Sequence, residues 1–331
     1  MDKWVNTYLA IAVTTSCNYN CFYCKPGGES FSIKKETIVF EKLKKVIINA
    51  HEIGISNFRI TGGEPTTVPY FEELVEFIMA YPNTKIRINT NGYKILEYLK
   101  VLKKYKNRLD VIFSVDSLSE YINDVHFEKF LSQRVKIITK SLRDNGVSVR
   151  YNIVVTSLNA VEVKMLVLEA IDKLSVNVKL LDLNRYPKYL GYDKKMEGIE
   201  AIELWKKQFV PMSSFYSWLD SISSNSEKNW TTGFIESNKG IPMSKFNRGK
   251  NWIQVKDSKK GASYSKYCTN CLYYKQDNCQ EGVFSLFLSS NLVLHLSGCK
   301  NELIHFNLNE LNDKQMKKCF KKLLEIIRTI N

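Results

Sequence analysis

The segment YLAIAVTTSCNYNCFYC, residues 8–24, joins an apolar, strand-like run to three closely spaced cysteines. Residues 8–14 predict a first strand, after which Cys17, Cys21 and Cys24 follow with three and then two intervening residues. Three thiolates at this spacing can ligate one face of a cubane iron–sulfur cluster and leave one iron open to a small molecule. A three-cysteine zinc loop and unligated buried thiols are the alternative interpretations.

Short β-branched runs alternate with amphipathic helical patterns from residue 7 to residue 185. This alternation predicts βαβ units and a parallel sheet. Six such units predict a partial (β/α)6 barrel of the TIM type, whose site lies at the carboxyl ends of the strands. The predicted strands are 8–14, 57–61, 85–89, 110–115, 147–155 and 176–183. The predicted helices are 36–51, 71–81, 95–105, 120–142 and 160–174.

A second motif, Gly62-Gly63-Glu64-Pro65, follows the second predicted strand. A Gly-Gly turn after a strand is common by itself. Here it comes about 40 residues after a cysteine motif in which the aromatic Tyr23 precedes the last cysteine. With these two motifs the chain resembles the radical S-adenosylmethionine (SAM) superfamily.

The resemblance implies an enzyme in which Cys17, Cys21 and Cys24 hold a [4Fe–4S] cluster. The amine and carboxylate of SAM would bind the open iron, with the backbone at Gly62, Gly63 and Glu64 beside the amine. One electron from the cluster would split a C–S bond of SAM and release a 5′-deoxyadenosyl radical, which abstracts hydrogen from the substrate. Binding SAM to the cluster would hold the sulfonium group of SAM against its electron donor and fix the orientation of that group.

Within the superfamily, the chain is most similar to the GTP cyclase of molybdenum-cofactor biosynthesis. That likeness implies that Tyr23, Gly63 and Ser114 contact SAM. It places Asn184 at the position where the family has a residue in contact with the adenine. It also implies that three residues bind the substrate: Arg59 in FRITGGEP, Thr90 in NTNG and Arg150 in VRYN.

The residues also have simpler interpretations. Arg59 and Arg150 suit a phosphate or carboxylate, but could form ion pairs with Asp110 or Asp116. Thr90 and Ser114 could be turn or packing hydroxyls. Ala10 stands where the GTP cyclase has an arginine. The segment LYYKQDNCQEG and the terminal RTIN lack that family's arginine-rich and Gly-Gly features. These departures predict a substrate other than GTP.

A second cysteine group lies near the end of the chain. Its members, Cys268, Cys271, Cys279 and Cys299, fit an auxiliary [4Fe–4S] cluster of the family with three or four ligands. A zinc ribbon has the same spacing. We therefore expect a radical SAM partial barrel over residues 1–185, a connector over the barrel at 186–260, and an auxiliary-cluster region at 261–331. The last region includes a hairpin at 282–297 and a helix at 313–330.

Lysine and arginine outnumber aspartate and glutamate, 48 to 34, which gives a net charge of +14. This favours an anionic, nucleotide-like substrate, with a ribosomally made peptide as the alternative. A zinc- or cluster-bearing nucleic-acid-binding protein is a rival of another class, but it leaves GGEP and the βα units unexplained. Signal and membrane segments are not expected, so the chain is predicted to be cytoplasmic, with a flavodoxin- or ferredoxin-type electron donor.

Overall fold

A computed structural model describes residues 7–24, 34–122, 124–183, 198–227, 243–261, 264–270, 285–296 and 304–328. Most strands in this part of the chain join one twelve-stranded sheet. The helices are α1 Phe40–Glu52, α2 Phe71–Met79, α3 Leu99–Lys104, α4 Gln133–Asp144, α5 Ala160–Leu168, α6 Gly198–Gln208, α7 Ser213–Ile222 and α8 Asp313–Arg328.

The sheet contains β1 Tyr8–Ala12, β2 Asn57–Thr61, β3 Lys85–Thr90, β4 Leu109–Ser114, β7 Ser148–Val155, β8 Asn177–Asp182, β9 Asn225–Glu227, β10 Met243–Arg248, β11 Asn251–Lys256, β12 Leu286–Leu288, β13 Val293–Leu296 and β14 Phe306–Asn307. A separate hairpin pairs β5 Tyr121–Ile122 with β6 Val125–His126.

The strand order is β14-β13-β12-β1-β2-β3-β4-β7-β8-β11-β10-β9. The eight central strands, from β12 to β11, all run parallel, and the outer ones are antiparallel. The predicted α/β class and the six parallel strands of a partial barrel are confirmed. The sheet is open, with β14 and β9 as its edge strands.

Alternation along each parallel strand gives the sheet two chemically different faces. One face carries apolar residues such as Leu9, Phe58 and Ile88, which are fully buried beneath the helices. The other face carries Ala10, Arg59 and Asn89 from the same strands. We call it the inner face; it holds the polar chemistry.

The segments outside the six βα units extend this sheet at both ends. The predicted hairpin at 282–297 forms β12 and β13, with β12 parallel to β1. Residues 243–256, predicted to belong to a connector, form the β10–β11 hairpin and place β11 parallel to β8. Helix α8 packs against α1, so the end of the described chain closes over its beginning.

One predicted helix, at 120–142, is wrong in its first half. Residues 121–126 form the β5–β6 hairpin, and Asp124 adopts the left-handed conformation that a turn requires, with φ 63°. Helix α4 begins only at Gln133, because the Ser132 hydroxyl accepts a hydrogen bond from the Val135 N–H at 3.2 Å and caps the helix.

Helix α1 also begins later than predicted, at Phe40. Thr37 forms an isolated β-bridge with Thr14, and the Glu36 carbonyl accepts a hydrogen bond from the Thr15 N–H at 2.8 Å. Those residues therefore continue the backbone pairing of β1. Within the described ranges, every helix falls short of the length and apolar character needed to cross a bilayer.

Candidate active site

A cavity of about 240 Å³ opens at the carboxyl ends of the parallel strands. Its wall includes most of the residues that the sequence predicted to bind the cluster or SAM. These are Cys17, Cys21, Tyr23, Cys24, Gly62, Gly63, Glu64 and Ser114. The predicted substrate residue Thr90 also lines it. The fold thus brings together two motifs that lie about 40 residues apart in sequence.

The two glycines allow two loops to pack backbone against backbone. The Gly63 N–H donates to the Thr14 carbonyl at 2.7 Å, and the Glu64 N–H donates to the Ser16 carbonyl at 2.8 Å. Gly62 has φ +152°, and a Cβ on it would lie 2.6 Å from the Thr14 carbonyl oxygen. A side chain at either glycine would push the start of the cysteine loop away from the strand edge.

Glu64 is a buried carboxylate whose oxygens are occupied by the neighbouring loops. It accepts hydrogen bonds from the Thr66 hydroxyl and the Thr90 hydroxyl, each at 2.6 Å, and from the Asn91 N–H at 2.7 Å. Burial raises its pKa, while these bonds act in the opposite direction. Glu64 and Thr90 therefore connect the loops after β2 and β3 to each other.

Asn91 extends this connection to the cysteine loop. Its side-chain N–H donates to Asn18 Oδ1 at 2.9 Å and lies 3.7 Å from the Cys17 sulfur. The Tyr19 N–H donates to the same sulfur at 3.4 Å. Donors of this kind hold a cysteine side chain in one orientation and stabilise negative charge on its sulfur.

Tyr23 does not stand free in the cavity. Its hydroxyl donates to Asp116 Oδ2, and the Lys129 ammonium donates to the Tyr23 oxygen at 3.2 Å. Asp116 is buried, and its other oxygen accepts the Val154 N–H at 2.8 Å. A tyrosine, a carboxylate and an ammonium thus form one network behind the cysteine loop, reaching it from the segment after β4.

The three thiols suit an iron–sulfur cluster in number and position. Cys17, Cys21 and Cys24 are unbridged and line one cavity. Cubane ligands bind separate irons, so their sulfurs need not converge on a point. A zinc ion, in contrast, needs ligands converging to about 2.3 Å, and no three His, Cys, Asp or Glu side chains do so within the described ranges. Burial raises the pKa of Cys17 and Cys21, and the Lys129 charge lowers it.

Three buried oxygens on the cavity wall lack a hydrogen-bond partner among the described residues. They are Asn89 Oδ1, Asn152 Oδ1 and Asp182 Oδ1. A buried acceptor without a partner costs free energy, so such atoms mark the place of a ligand that carries donors. The amine and hydroxyl groups of SAM are donors, which makes this wall compatible with SAM.

Arg59 and Arg150 lie deeper than predicted. Neither borders the cavity: each precedes a cavity residue, Thr61 or Asn152, by two positions on the same strand. Side chains two positions apart share a face, so both arginines lie on the inner face, one level below the cavity. Arg87 and Lys179 occupy the equivalent places before Asn89 and Leu181. We call these four residues the cationic layer.

Burial, together with repulsion between neighbouring cations, lowers the pKa values of Arg87, Arg150 and Lys179. The pKa of Arg150 falls to about 9 and that of Arg87 to about 10, in each case mainly through burial. The pKa of Lys179 falls well below its usual value because it is desolvated and lies near Arg150 and Lys256. Asp110 is paired with Arg87 at 3.6 Å, and Asp116 belongs to the Tyr23 network. The layer therefore carries more positive than negative charge.

Of the four predicted ligands of the auxiliary cluster, Cys268 lies within the described residues. Asn184, Cys271, Cys279 and Cys299 lie outside the described residues. Cys268 is half-buried at the start of a short 3₁₀ turn, where its sulfur accepts the Ser265 N–H at 3.3 Å.

Sequence reasoning missed Lys129, Asn91, Arg87 and Lys179. Alternation could have found the last two, since both occupy inward positions of recognised strands. Nothing local could have found Lys129, because it lies in a segment that was predicted to be helical and meets Tyr23 only through the fold.

Comparison with known proteins agrees with this site. Residues 11–170 match the model of the radical SAM superfamily. A GTP 3′,8-cyclase of Campylobacter curvus is 30% identical over 158 residues, which are 46% of this chain and 49% of the relative. A GTP 3′,8-cyclase of Sulfurovum sp. is 28% identical over 208 residues, covering 61% and 63%. The alignments thus span less than two thirds of either relative.

The fold resembles that of SuiB from Streptococcus suis, solved with S-adenosylmethionine. The TM-score is 0.57 at 14% identity, over 97% of this chain and 65% of SuiB. The motif residues, the cavity they share and the family match lead to one conclusion: residues 11–170 of the chain belong to the radical SAM superfamily.

Proposed function

We propose that the protein is a radical SAM enzyme acting on an anionic, nucleotide-like substrate. The observation that carries the proposal is the meeting of three cysteine thiols and the GGE backbone in one cavity at the carboxyl edge of the parallel sheet. When bound, a [4Fe–4S] cluster supplies the electron that splits SAM into methionine and a 5′-deoxyadenosyl radical.

The residues around the cavity have distinct tasks in this proposal. Cys17, Cys21 and Cys24 hold the cluster. Gly63 and Ser114 lie along the wall where SAM would bind. Tyr23 is fixed by Asp116 and Lys129, so its ring presents one surface to the ligand. Asn184, outside the described residues, is proposed to contact the adenine.

The cationic layer supports the choice of an anionic substrate. Four basic side chains share the inner face beneath the cavity, and Asp110 forms an ion pair with one of them, Arg87. Burying like charges together is costly, and an anion there would offset that cost. Arg59 and Arg150 keep their proposed substrate role, joined by Arg87 and Lys179. Thr90 would act indirectly, since its hydroxyl donates to Glu64.

Ala10 of β1, beside Arg59, distinguishes this site from the one expected of a GTP cyclase. Ala10 pairs in register with Arg59 and packs with Ala12 and Phe287. A small apolar surface therefore lies where the resemblance implies another arginine, which favours a nucleotide-like substrate other than GTP.

A peptide substrate is the second candidate. SuiB, whose fold is similar at a TM-score of 0.57 and 16% identity, has also been solved with its precursor peptide SuiA. The likeness extends over the fold alone, and the excess of cations below the cavity favours a compact anion.

An auxiliary [4Fe–4S] cluster at Cys268, Cys271, Cys279 and Cys299 completes the proposal. The zinc ribbon remains its alternative, and iron analysis separates the two. The protein would also need a one-electron donor, because each cleavage of SAM consumes an electron.

Reductive cleavage of SAM tests the central proposal. Protein loaded with iron and sulfide without oxygen should release 5′-deoxyadenosine when dithionite and SAM are added, as measured by chromatography. Cys21→Ala should abolish release, because two thiolates leave the cluster without its full ligand set. Cys319→Ala is the matched control, since this half-buried thiol lies on α8. Intact SAM with iron-loaded wild-type protein would contradict the proposal.

Iron content tests the auxiliary cluster. Replacing Cys17, Cys21 and Cys24 together with alanine should leave about half of the iron bound, because four irons would remain at the second group. Replacing Cys268 and Cys271 should remove the other half. Complete loss of iron in the first variant, or zinc in the purified protein, would argue against a second iron–sulfur cluster.

Anion binding tests the cationic layer. Because the pKa of Lys179 is lowered, its charge and the affinity for inorganic tripolyphosphate should decline as pH rises through that pKa. Lys179→Arg keeps its charge, so its affinity for tripolyphosphate should not show this decline. Tripolyphosphate itself also titrates, and the ratio of the wild-type affinity to the Lys179→Arg affinity at each pH removes that contribution. Lys179→Met should bind about tenfold more weakly than wild type at pH values below that pKa. Equal pH profiles for wild type and Lys179→Arg, by calorimetry, would refute the assignment.

Unfolding tests the network behind the cysteine loop. Lys129→Met leaves the buried Asp116 without its cation and should lower the free energy of unfolding by about 1.5–3 kcal/mol. Lys129→Arg should lose less, and adding Asp116→Asn to Lys129→Met should recover part of the loss. Urea denaturation measures all three variants. Wild-type stability in Lys129→Met would show that the ammonium does not compensate Asp116.

A further inference from the structure

An exposed apolar patch lies beside the cysteine loop. Tyr93, Leu96 and Ile137 are 40%, 38% and 56% exposed, and together with Lys94 and Arg134 they line one shallow depression. We call these five residues the mouth patch. We propose that the mouth patch docks an acidic protein that carries one electron, and so delivers the electron for SAM cleavage. This rests on the proposed function.

The mouth patch lies at the edge of the sheet that bears the cavity. Tyr93 and Lys94 belong to the loop at the carboxyl end of β3, and Arg134 and Ile137 to the first turns of α4. Arg134 joins the two parts by donating to the Tyr93 carbonyl. Burial raises the pKa of Tyr19, a cavity residue between the first two cysteines, and the nearby charge of Arg134 acts in the opposite direction.

A short chain of hydrogen bonds connects the patch to the first cysteine. The Tyr93 N–H donates to Asn91 Oδ1 at 3.0 Å. The Asn91 side-chain N–H lies 3.7 Å from the Cys17 sulfur. A partner seated on Tyr93 would thus be separated from Cys17 by a single intervening residue, and electron transfer becomes steeply faster as the path shortens.

Cys17 is also the most exposed residue of the three motif cysteines, although its thiol is partly desolvated. It is exposed, whereas Cys21 and Cys24 are half-buried. A cluster held by the three would therefore have its most accessible corner on the side of Cys17. The mouth patch lies next to that corner, where a carrier protein can approach without entering the substrate cavity.

The charge of the patch fits an acidic partner. Lys94 and Arg134 flank the apolar side chains, and Glu97 is the acid among the lining residues. Lys100 and Lys140, both exposed, follow Leu96 and Ile137 by about one helical turn. An apolar centre with a basic rim is a surface that binds a partner of opposite charge and speeds its association.

Two reductants separate docking from chemistry. Release of 5′-deoxyadenosine is measured in iron-loaded protein, first with dithionite and then with a flavodoxin kept reduced by NADPH and its reductase. Ile137→Glu and Lys94→Glu place negative charge in the patch and should lower the flavodoxin-driven rate by about tenfold. The dithionite-driven rate should stay within about twofold, because a small reductant needs no docking surface. Val161→Glu, at a position 86% exposed on α5, is the matched control.

Direct binding of flavodoxin to the same proteins, by biolayer interferometry at two salt concentrations, gives a second readout. Weaker binding by the two patch variants, and weaker wild-type binding at high salt, supports the proposal. Unchanged flavodoxin-driven rates and binding overturn it, as does an equal loss with both reductants or a wild type that responds to dithionite alone. Failure of the proposed function has a different signature, because iron-loaded wild type would then leave SAM intact even with dithionite. In that case the flavodoxin-binding data would still test whether the mouth patch is the docking surface.

Discussion

The candidate site depends on the close backbone contact between residues 62–64 and residues 14–16. Two hydrogen bonds, from Gly63 to Thr14 and from Glu64 to Ser16, fix the start of the cysteine loop against the end of β2. Only glycine permits this approach, because any side chain at position 62 or 63 would meet the opposing carbonyl groups. The GGE motif therefore acts first on the protein's own loop, and through it on the position of the three thiols.

Buried charged side chains fix further parts of the cavity wall. Glu64 gathers donors from the loops after β2 and β3, and Asn91 passes the constraint to Cys17. On the opposite side Asp116 and Lys129 hold Tyr23. A buried carboxylate with too few donors is expensive, so each of these groups tolerates little displacement of its partners. The result is a cavity whose wall is set before any ligand arrives.

The inner face shows how the basic composition of the chain is used. Most of the excess positive charge has no assigned role, but Arg59, Arg87, Arg150 and Lys179 converge beneath the cavity because their strands belong to the run β2-β3-β4-β7-β8 of neighbouring parallel strands. Packing like charges at the inner face works against stability, and a protein can keep them there when a ligand offsets the repulsion. Together with the cavity above, they give the proposed site one end for SAM and one for an anion.

The strand–helix alternation allowed the six parallel strands and their order along the chain to be predicted, because periodicity is a local property. The spacing of Cys17, Cys21 and Cys24 and the GGEP motif likewise indicated the family from the sequence, since each depends on residues close together in the chain. The 120–142 segment failed because Asp124 takes a turn conformation that helical periodicity does not reveal.

The sequence by itself determined where the cysteine and glycine motifs lie and, through strand alternation, which positions of a strand share a face of the sheet. Tertiary structure decided the rest: that Arg59 and Arg150 lie a level below the cavity, that Lys129 meets Tyr23, and that Asn91 reaches Cys17. These facts depend on the register between neighbouring strands and on loops that approach from distant parts of the chain. Such long-range geometry leaves no trace in local periodicity, because it is fixed only when the strands pair and the backbones of residues 14–16 and 62–64 meet.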